Sequence, residues 1–533
     1  MNLFRSTVVI GGLTGVSRVL GFARDALIAS VLGAGPISDA FYAALRLPNL
    51  FRRLLAEGAF NSAFVPLYAR RLEGDADGDG APDDGDASPE ARAARQAEAD
   101  RFASETFSVL IIVLVVLVLA AEAAMPWLMR GLMPGRAGDA DWITRATVLG
   151  LFTMPYILFM SLTAMFGGVL NAHGRFAAFA AAPTLLNVVL VALLLSPIGQ
   201  EWRAATWLAA GVAVAGVLQC AVVYAGLVRQ GVSLRLAWPR LTPGVKRVVA
   251  LGIPGAVSAG VTQVNIVISQ MIASFQAGAV SWMSYADRLY QFPLGMIGIA
   301  MGVALLPMLS RRLRANDEQG ARDSLNRAIE ISALFTFPAA AALATGAAFW
   351  VAAMFEHGRF SPDDTAMTAA VLVAFAVGLP AFIGVKIFAP GFFAREDTKT
   401  PMRYAAVAVV VNIALGAALF MVIGVVGLAV ATSVAGWINA ILLARTLARD
   451  GLLAPDMRLK ARLPRVALAA AATGGFVWWA SRAMNVELGQ SIVWDLTVAA
   501  GVAAAGGLLY LIAVFVLGAL RPSDLKLMTR RAA

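Results

Sequence analysis

Long apolar runs recur along the whole chain and restrict it to one class of fold. Stretches such as 106–128, 404–424 and 492–518 are long enough to cross a bilayer, since a transmembrane helix needs about 20 mostly apolar residues. Of the 533 residues only 14% are charged, whereas soluble domains carry about a quarter charged residues. The pattern predicts an all-α polytopic membrane protein.

The apolar segments predict fourteen transmembrane helices. They cover approximately residues 7–33, 37–66, 102–126, 142–170, 176–198, 205–228, 248–273, 281–309, 328–353, 365–392, 404–424, 425–447, 466–484 and 492–519. The first segment is interrupted by charged residues, so we interpret it as a membrane helix and not as a cleavable signal.

The positive charge of the chain indicates its orientation in the membrane. With both termini in the cytoplasm, thirty Lys and Arg lie in the inner segments and six in the outer ones, as the positive-inside rule requires. The net charge of +10 therefore does not predict a nucleic-acid partner. The single cysteine excludes internal disulfides, and the two histidines, His173 and His357, lie too far apart in sequence to predict a metal site. We expect no cofactor, apart from an unidentified coupling ion.

Seven cations remain inside the predicted spans. They are Arg18, Arg24, Arg46, Arg52, Arg53, Arg288 and Lys386, and the acids in the spans are Asp25, Asp39, Glu57 and Asp287. An arginine at the centre of a membrane helix costs about 2.5–3.5 kcal/mol on insertion scales. One interpretation is that these residues form internal salt bridges. The surplus of three positive charges instead favours an incoming anion, and the guanidinium fork suits phosphate oxygens.

Helical geometry groups part of this set. At 100° per residue, Asp39, Arg46, Arg53 and Glu57 project within about 40° of one direction. Arg52 points elsewhere on the same helix. Lys386 fits either a phosphate or an acidic partner.

A short internal duplication predicts the domain organisation. AFVPLYARR at 63–71 resembles ALLPMLSRR at 304–312, six predicted helices later, which indicates two parallel six-helix lobes. The lobes would span residues 1–229 and 230–450, with two further helices and a tail in 451–533. Transporters place their substrates in the cleft between such lobes. The loop 72–101 is acidic and predicts a disordered linker.

Five sequence blocks resemble the MurJ/MviN family of lipid II flippases, within the multidrug, oligosaccharidyl-lipid and polysaccharide exporter superfamily. They are SRVLGFARD (17–25), SDAF (38–41), LPNLFRRLLAEGAFNSAFVPLY (47–68), YADRLYQFPLG (285–295) and APGFFAREDTKTP (389–401). The resemblance covers nearly the whole chain, and the acidic insertion at 72–101 departs from it.

The resemblance implies a substrate and a set of binding residues. The substrate would be lipid II, an undecaprenyl-pyrophosphate-linked disaccharide pentapeptide, moved from the inner to the outer leaflet of the bacterial cytoplasmic membrane. The family motifs place substrate binding on Arg18, Arg24, Arg52, Arg53 and Arg288. Asp25, Asp39, Asn49, Glu57 and Asp287 would support them. Helices 13 and 14, at 466–519, would hold the lipid tail.

These observations predict a transporter and not an enzyme. The lobes would rock so that a cationic central cavity opens first to one side and then to the other. One alternative is an exporter of another polyprenyl-pyrophosphate-linked oligosaccharide or another amphiphile of the same superfamily. A second alternative is a membrane enzyme that acts on prenyl-phosphate lipids, although no catalytic acid–base or metal cluster is visible in the sequence. We expect lipid II and membrane lipids as partners.

Overall fold

The computed structural model describes residues 3–53, 61–73, 88–197, 199, 201–232, 234–484 and 488–520. This part of the chain is helical and contains no strand, which confirms the all-α prediction. It divides into two compact units, unit 1 (Met1–Ala277) and unit 2 (Gly278–Ala533), which are described separately. The lobe boundaries predicted from the internal repeat stay a prediction.

The described residues of unit 1 form ten α-helices. They are α1 (Leu3–Leu32), α2 (Pro36–Phe51), α3 (Asn61–Glu73), α4 (Pro89–Ala123), α5 (Met125–Leu132), α6 (Ala140–Thr153), α7 (Tyr156–Ala172), α8 (Ala177–Leu194), α9 (Glu201–Val228) and α10 (Pro243–Ala273). Helix α1 packs on α8, and α9 packs on α6, α7 and α8. An aromatic core joins α3 to α4, where the rings of Phe64 and Phe102 stack with their centroids 5.6 Å apart.

Eight α-helices lie in the part of unit 2 that the structure describes. They are α11 (Ala279–Arg314), α12 (Glu318–Thr345), α13 (Ala347–Phe355), α14 (Pro362–Phe393), α15 (Lys399–Ile423), α16 (Val425–Arg449), α17 (Met457–Met484) and α18 (Ile492–Val516). Helix α14 is central and packs on α11, α12 and α16. Leucines of all four helices form the core between them, including Leu305, Leu325, Leu379 and Leu443.

Three helices begin with the same local sequence, a Ser or Thr followed by Pro. The side chains of Ser88, Thr242 and Ser361 accept hydrogen bonds from backbone N–H groups three residues later, at 3.2, 3.5 and 3.2 Å. Each proline occupies the first helical position, where its missing N–H has no cost. Local chemistry therefore fixes where α4, α10 and α14 start.

The tight hairpin between α15 and α16 depends on two glycines. Gly424 has φ +62° at the turn, a conformation that glycine adopts without strain. A Cβ atom at Gly427 would lie 2.5 Å from the backbone carbonyl carbon of Leu419, so only glycine allows the two helices to approach this closely. The predicted near-fusion of two spans at this point is a turn of a single residue.

Two polar contacts fasten α17 and α18 to the rest of unit 2. At one end, the buried carboxylate of Glu330 on α12 takes guanidinium groups from Arg327, Arg458 and Arg462, with Arg458 Nη2 at 3.1 Å. At the other end, His357 Nε2 lies 2.9 Å from the buried carboxylate of Asp495 on α18. Breaking a buried pair of this kind by removing one partner costs about 3–5 kcal/mol.

Nine helical segments of the described chain are long and apolar enough to cross a membrane. They are Pro89–Ala123, Ala140–Ala172, Ala177–Leu194, Trp202–Val228, Glu318–Thr345, Pro362–Phe393, Lys399–Ile423, Val425–Arg449 and Ile492–Val516. The chain is therefore a multi-pass membrane protein. The count of fourteen spans stays a prediction.

Some predicted segments differ from the described helices. The described residues of the segment predicted at 37–66 form α2 and α3, and because residues 54–60 lie outside the described chain, the continuity of this segment stays a prediction. The acidic stretch predicted as a linker at 72–101 begins within α3 and ends as helix, because α4 starts at Pro89. Ala, Glu, Arg and Gln dominate residues 89–101, and these residue types favour helix even where the segment is polar. Residues 74–87 lie outside the described part.

Candidate functional site

The predicted site residues fall on three helices and on the turn that follows the second. Arg18, Arg24 and Asp25 lie on α1; Asp39, Arg46 and Asn49 lie on α2; Arg52 and Arg53 follow α2 directly; Asp287 and Arg288 lie on α11. Glu57 lies outside the described residues. Unit 1 thus carries all of the described set except the α11 pair, which belongs to unit 2.

The guanidinium of Arg24 donates three hydrogen bonds to neighbouring side chains. Its Nε and Nη2 atoms donate to Asp25 Oδ1 at 2.9 and 2.7 Å, and its Nη1 donates to Asn187 Oδ1 on α8 at 2.9 Å. Asn187 in turn donates through Nδ2 to the backbone carbonyl of Ser17 at 2.8 Å. The Arg24 side chain is 13% exposed, so part of the guanidinium remains accessible.

The charge of Arg24 is balanced by its neighbour in sequence. Asp25 is 2% exposed, and a carboxylate buried this deeply requires a cationic partner. At this position the structure agrees with the salt-bridge interpretation. The amide of Asn187 adds a third hydrogen bond without adding charge, so the cluster of Arg24, Asp25 and Asn187 has no net charge.

Arg46 binds a neutral partner. Its Nε donates to Gln270 Oε1 on α10 at 2.6 Å, and Gln270 is 3% exposed. This hydrogen bond orients the guanidinium without cancelling its positive charge. A second hydrogen bond joins the end of α10 to the rest of unit 1, since the backbone N–H of Gly135 donates to Ser274 Oγ at 2.9 Å.

The other predicted residues of unit 1 differ in exposure. Asp39 is 2% exposed in the first turn of α2, where the helix dipole favours a carboxylate. Arg18 and Arg52 are half-buried and Arg53 is exposed. Asn49 is half-buried, and its Nδ2 donates to the carbonyl of Leu45 at 2.9 Å.

In unit 2, Arg288 is exposed on α11 and the adjacent Asp287 is half-buried. The carboxylate of Asp287 accepts a hydrogen bond from the amide of Gln291 one turn later. Lys386 is exposed on α14, and its aliphatic stem packs against Gly298 of α11, where an added Cβ atom would lie 2.7 Å from Lys386 Cδ.

Two residues that sequence analysis missed are the amides Asn187 and Gln270. Only charged residues were considered as partners of the arginines, yet the side chains of Asn187 and Gln270, which accept hydrogen bonds from Arg24 and Arg46, are neutral. A single Asn in the apolar sequence of α8 was the available signal, because a polar group in a membrane helix needs a partner.

Charge and geometry together make these helices suited to an anion. Between residues 18 and 53 there are five arginines against two acids, Asp25 and Asp39. Guanidinium groups bind phosphate and carboxylate oxygens in pairs. Within the described residues, no three His, Cys, Asp or Glu side chains cluster as a metal site requires. That the protein needs no metal or cofactor stays a prediction.

Comparisons with known proteins agree with this chemistry. The sequence model of the family described as "Lipid II flippase MurJ" matches residues 28–497. A protein of Rhizobium tropici, named "Probable lipid II flippase MurJ", is 44% identical over 495 residues, which is 92% of this chain and 89% of the relative.

Solved structures share the fold. A structure titled "Lipid II flippase MurJ, inward closed conformation" superposes with a TM-score of 0.74 at 23% identity, covering 96% of this chain and 98% of the other. An inward-facing multidrug resistance transporter of the MATE family superposes with a TM-score of 0.64 at 14% identity, covering 84% and 98%. At these identities the likeness concerns the fold alone. The extent of the family match and the identity to the Rhizobium relative decide the assignment: the chain belongs to the MurJ family of lipid II flippases.

Proposed function

We infer that this chain is a lipid II flippase, which moves the lipid-linked peptidoglycan precursor across the bacterial cytoplasmic membrane. The observation that carries the inference is the match to the family over residues 28–497, together with relatives named for this activity. The apolar helices support a protein that works within the membrane. The relatives are named as flippases, which supports a transporter and not an enzyme.

The arginines of unit 1 bind the diphosphate of the substrate. A surplus of three positive charges between residues 18 and 53 supports this assignment, since lipid II brings a diphosphate with at least two negative charges. The substrate-binding residues are Arg18, Arg24, Arg52 and Arg53 of unit 1 and Arg288 of unit 2.

The acids and amides near these arginines orient them. Asp25 holds Arg24, as its two hydrogen bonds support. Asp39, Asn49, Glu57 and Asp287 have the same role toward other arginines of the set. A fixed guanidinium loses less conformational entropy when the phosphate arrives, so orientation raises affinity.

The substrate moves from the inner to the outer leaflet by alternating access. The arginines bind the diphosphate from the cytoplasmic side, the protein changes conformation so that they become accessible from the outside, and release of the product resets it. Both termini are cytoplasmic, as the distribution of Lys and Arg supports. The prenyl tail stays in lipid along α17 and α18, and an ion or the membrane potential drives the cycle.

Alanine substitutions of Arg24 and Arg288 test the assignment. In cells whose own flippase is depleted, each variant should fail to sustain growth and should leave lipid II inaccessible to an externally added enzyme that cleaves its diphosphate. Arg145→Ala is the matched control, because Arg145 is exposed and forms an ion pair with Asp141, one turn earlier on α6. Membrane levels of all three variants must equal those of the wild type. Full activity of both Arg24→Ala and Arg288→Ala would refute the site.

Purified protein in liposomes distinguishes the remaining alternatives. Lipid II should cross the bilayer and be recovered chemically unchanged by mass spectrometry, whereas an enzyme acting on prenyl phosphates would return a modified lipid. A polyprenyl diphosphate carrying an unrelated oligosaccharide should cross more slowly. Equal rates for the two lipids would support the broader exporter and contradict specificity for lipid II.

A further inference from the structure

The connection between α9 and α10 is bound to the side of α4. Its residues 234–242 are neither helix nor strand. The backbone N–H of Arg235 donates to Ser104 Oγ at 3.1 Å, and that of Ala237 donates to Ser108 Oγ at 3.0 Å. Both serines are buried, and each donates its own hydrogen to the α4 carbonyl four residues earlier, at 2.7 and 2.8 Å. The two hydroxyls therefore act as oriented acceptors for the connection.

The spacing of these contacts gives the direction of the connection. Residues four apart on a helix are separated by about 6 Å along its axis, and two residues of extended chain span about 6.6 Å. Alternate N–H groups of an extended chain therefore match serines one turn apart, with the chain running in the same direction as α4. Thr242 Oγ1 donates to Glu105 Oε2 at 2.9 Å, so the chain has turned back by residue 242. Residues 236–241, which we call the tip, make this turn.

The tip lies where the apolar part of α4 begins. Charged residues are frequent in 90–105 of α4, and residues 106–121 contain none. The helix has 35 residues and is about 52 Å long, whereas the hydrocarbon core of a bilayer is about 30 Å thick, so its polar first part extends beyond the lipid. The chain passes from Ser104 to Ser108 before it reaches the tip, which places the tip at the membrane surface. On the proposed topology this surface is the cytoplasmic one.

The tip exposes large apolar side chains. Leu236, Trp238 and Leu241 are 70%, 83% and 62% exposed. Arg235 and Arg240, two or three residues from the indole on either side, are exposed as well. Tryptophan is enriched at the boundary between headgroups and hydrocarbon, because its ring is apolar and its N–H can bind a headgroup. Arginine on the cytoplasmic surface is attracted to anionic headgroups.

We propose that the tip inserts into the cytoplasmic leaflet, with the indole of Trp238 between headgroups and acyl chains and with Arg235 and Arg240 at the phosphates of anionic lipids. The hydrogen bonds to α4 hold the tip at the level of the membrane surface, and lipid decides whether the tip is inserted or lifted into water. Two arginines near an anionic surface favour the inserted tip by roughly 30-fold. The lipid partner thus restrains the chain that leads from α9 into α10.

Spin labels on the full-length protein in nanodiscs report the depth of the tip. Cys220 is the only cysteine, so Cys220→Ala gives a background for single labels. A label on Pro239→Cys keeps every apolar and basic side chain of the tip, and it should lose most of its collisions with a water-soluble nickel complex while it still collides with oxygen. A label on Gln230→Cys, in the exposed turn after α9, is the reference for water, and one on Val116→Cys, 61% exposed on α4, is the reference for lipid. Equal nickel collisions at 239 and 230 would overturn the proposal. Few collisions with both reagents would also overturn it, because protein would then cover the tip.

Substitutions test the two parts of the contact. Trp238→Gln should restore nickel collisions at the label on residue 239, whereas Trp207→Gln, which changes an exposed tryptophan of α9, should not. In nanodiscs of phosphatidylcholine with phosphatidylglycerol the label should lie deeper than in phosphatidylcholine alone. Arg235→Gln combined with Arg240→Gln should remove that difference, a change of up to roughly 30-fold in the ratio of inserted to lifted tip. A label depth that is unchanged in Trp238→Gln, or that does not depend on lipid charge, would overturn the proposal.

Discussion

Replacing Asn187 by Asp tests whether the cluster around Arg24 must have no net charge to bind an anion. The two side chains have the same shape, and the oxygen that accepts from Arg24 Nη1 at 2.9 Å is preserved. The amide nitrogen, which donates to the carbonyl of Ser17 at 2.8 Å and to its Oγ at 3.4 Å, becomes an oxygen, so both of these donated hydrogen bonds are lost. The principal change is one negative charge beside a guanidinium that Asp25 already balances.

The expected loss of affinity follows from Coulomb's law. A phosphate that uses the remaining N–H groups of Arg24 would lie about 7 Å from the new carboxylate, on the far side of the guanidinium. At an effective dielectric constant of about 20, the repulsion between two unit charges at that distance is about 2 kcal/mol. This energy corresponds to roughly 30-fold weaker binding.

Affinity is measured with purified protein in detergent and a fluorescent polyprenyl diphosphate as ligand. Asn316→Asp adds the same charge to an exposed turn between α11 and α12, so it controls for net charge alone. The Asn187→Asp protein should bind about 30-fold more weakly than the control. Increasing salt should reduce the difference only slightly, because the pair is largely buried.

The double variant Asp25→Asn with Asn187→Asp restores the net charge with the acid and the amide exchanged. It should recover most of the lost affinity, because Arg24 again has one carboxylate and one amide as partners. Wild-type affinity in Asn187→Asp would falsify the reasoning. A double variant that binds no better than Asn187→Asp would likewise show that geometry, and not charge, governs the cluster.

Three further predictions concern stability. Gln270→Leu should lower the free energy of unfolding by about 1–3 kcal/mol, because it removes the hydrogen bond between the buried Gln270 and the half-buried guanidinium of Arg46, and denaturant titration measures the loss. Gly427→Ala should cost about 1–3 kcal/mol by overpacking and lower the melting temperature, whereas Gly507→Ala, where nothing lies within 4 Å, should not. Hydrogen bonds from the hydroxyl and then from the backbone N–H of Thr400 lower the pKa of Asp397. These contacts stabilise the start of α15 fully above an ordinary aspartate pKa of about 3.9 and are lost as the pH falls through the lowered pKa, so hydrogen exchange there should increase in acid. Asp397→Asn should remove that increase.

The fold class was predictable because it follows from hydropathy, which requires no knowledge of partners. Lipid leaves no alternative for long apolar runs but helices, and the described chain is helical. Boundaries were less predictable where polar residues continue a helix beyond the membrane. Residues 89–101 are polar and end the acidic stretch 72–101, yet Ser88 and Pro89 start a helix there by local capping. Acidic composition alone did not distinguish a helix from a linker.

The candidate site was predictable in its charges and not in its partners. Charged residues in apolar sequence are visible without a structure, and Asp25 next to Arg24 was an evident partner. Asn187 lies 163 positions from Arg24 and Gln270 lies 224 positions from Arg46. Nothing local in the sequence connects these residues, because the packing of α1 on α8 and of α2 near α10 brings them together.

The fastening of the last two helices has a consequence for transport. Glu330 holds α17 at one end, and the contact between His357 and Asp495 holds α18 at the other. Helices α17 and α18 should therefore move together with the rest of unit 2. On the proposed position of the prenyl chain along α17 and α18, a displacement of unit 2 during a transport cycle would move the lipid tail together with the headgroup.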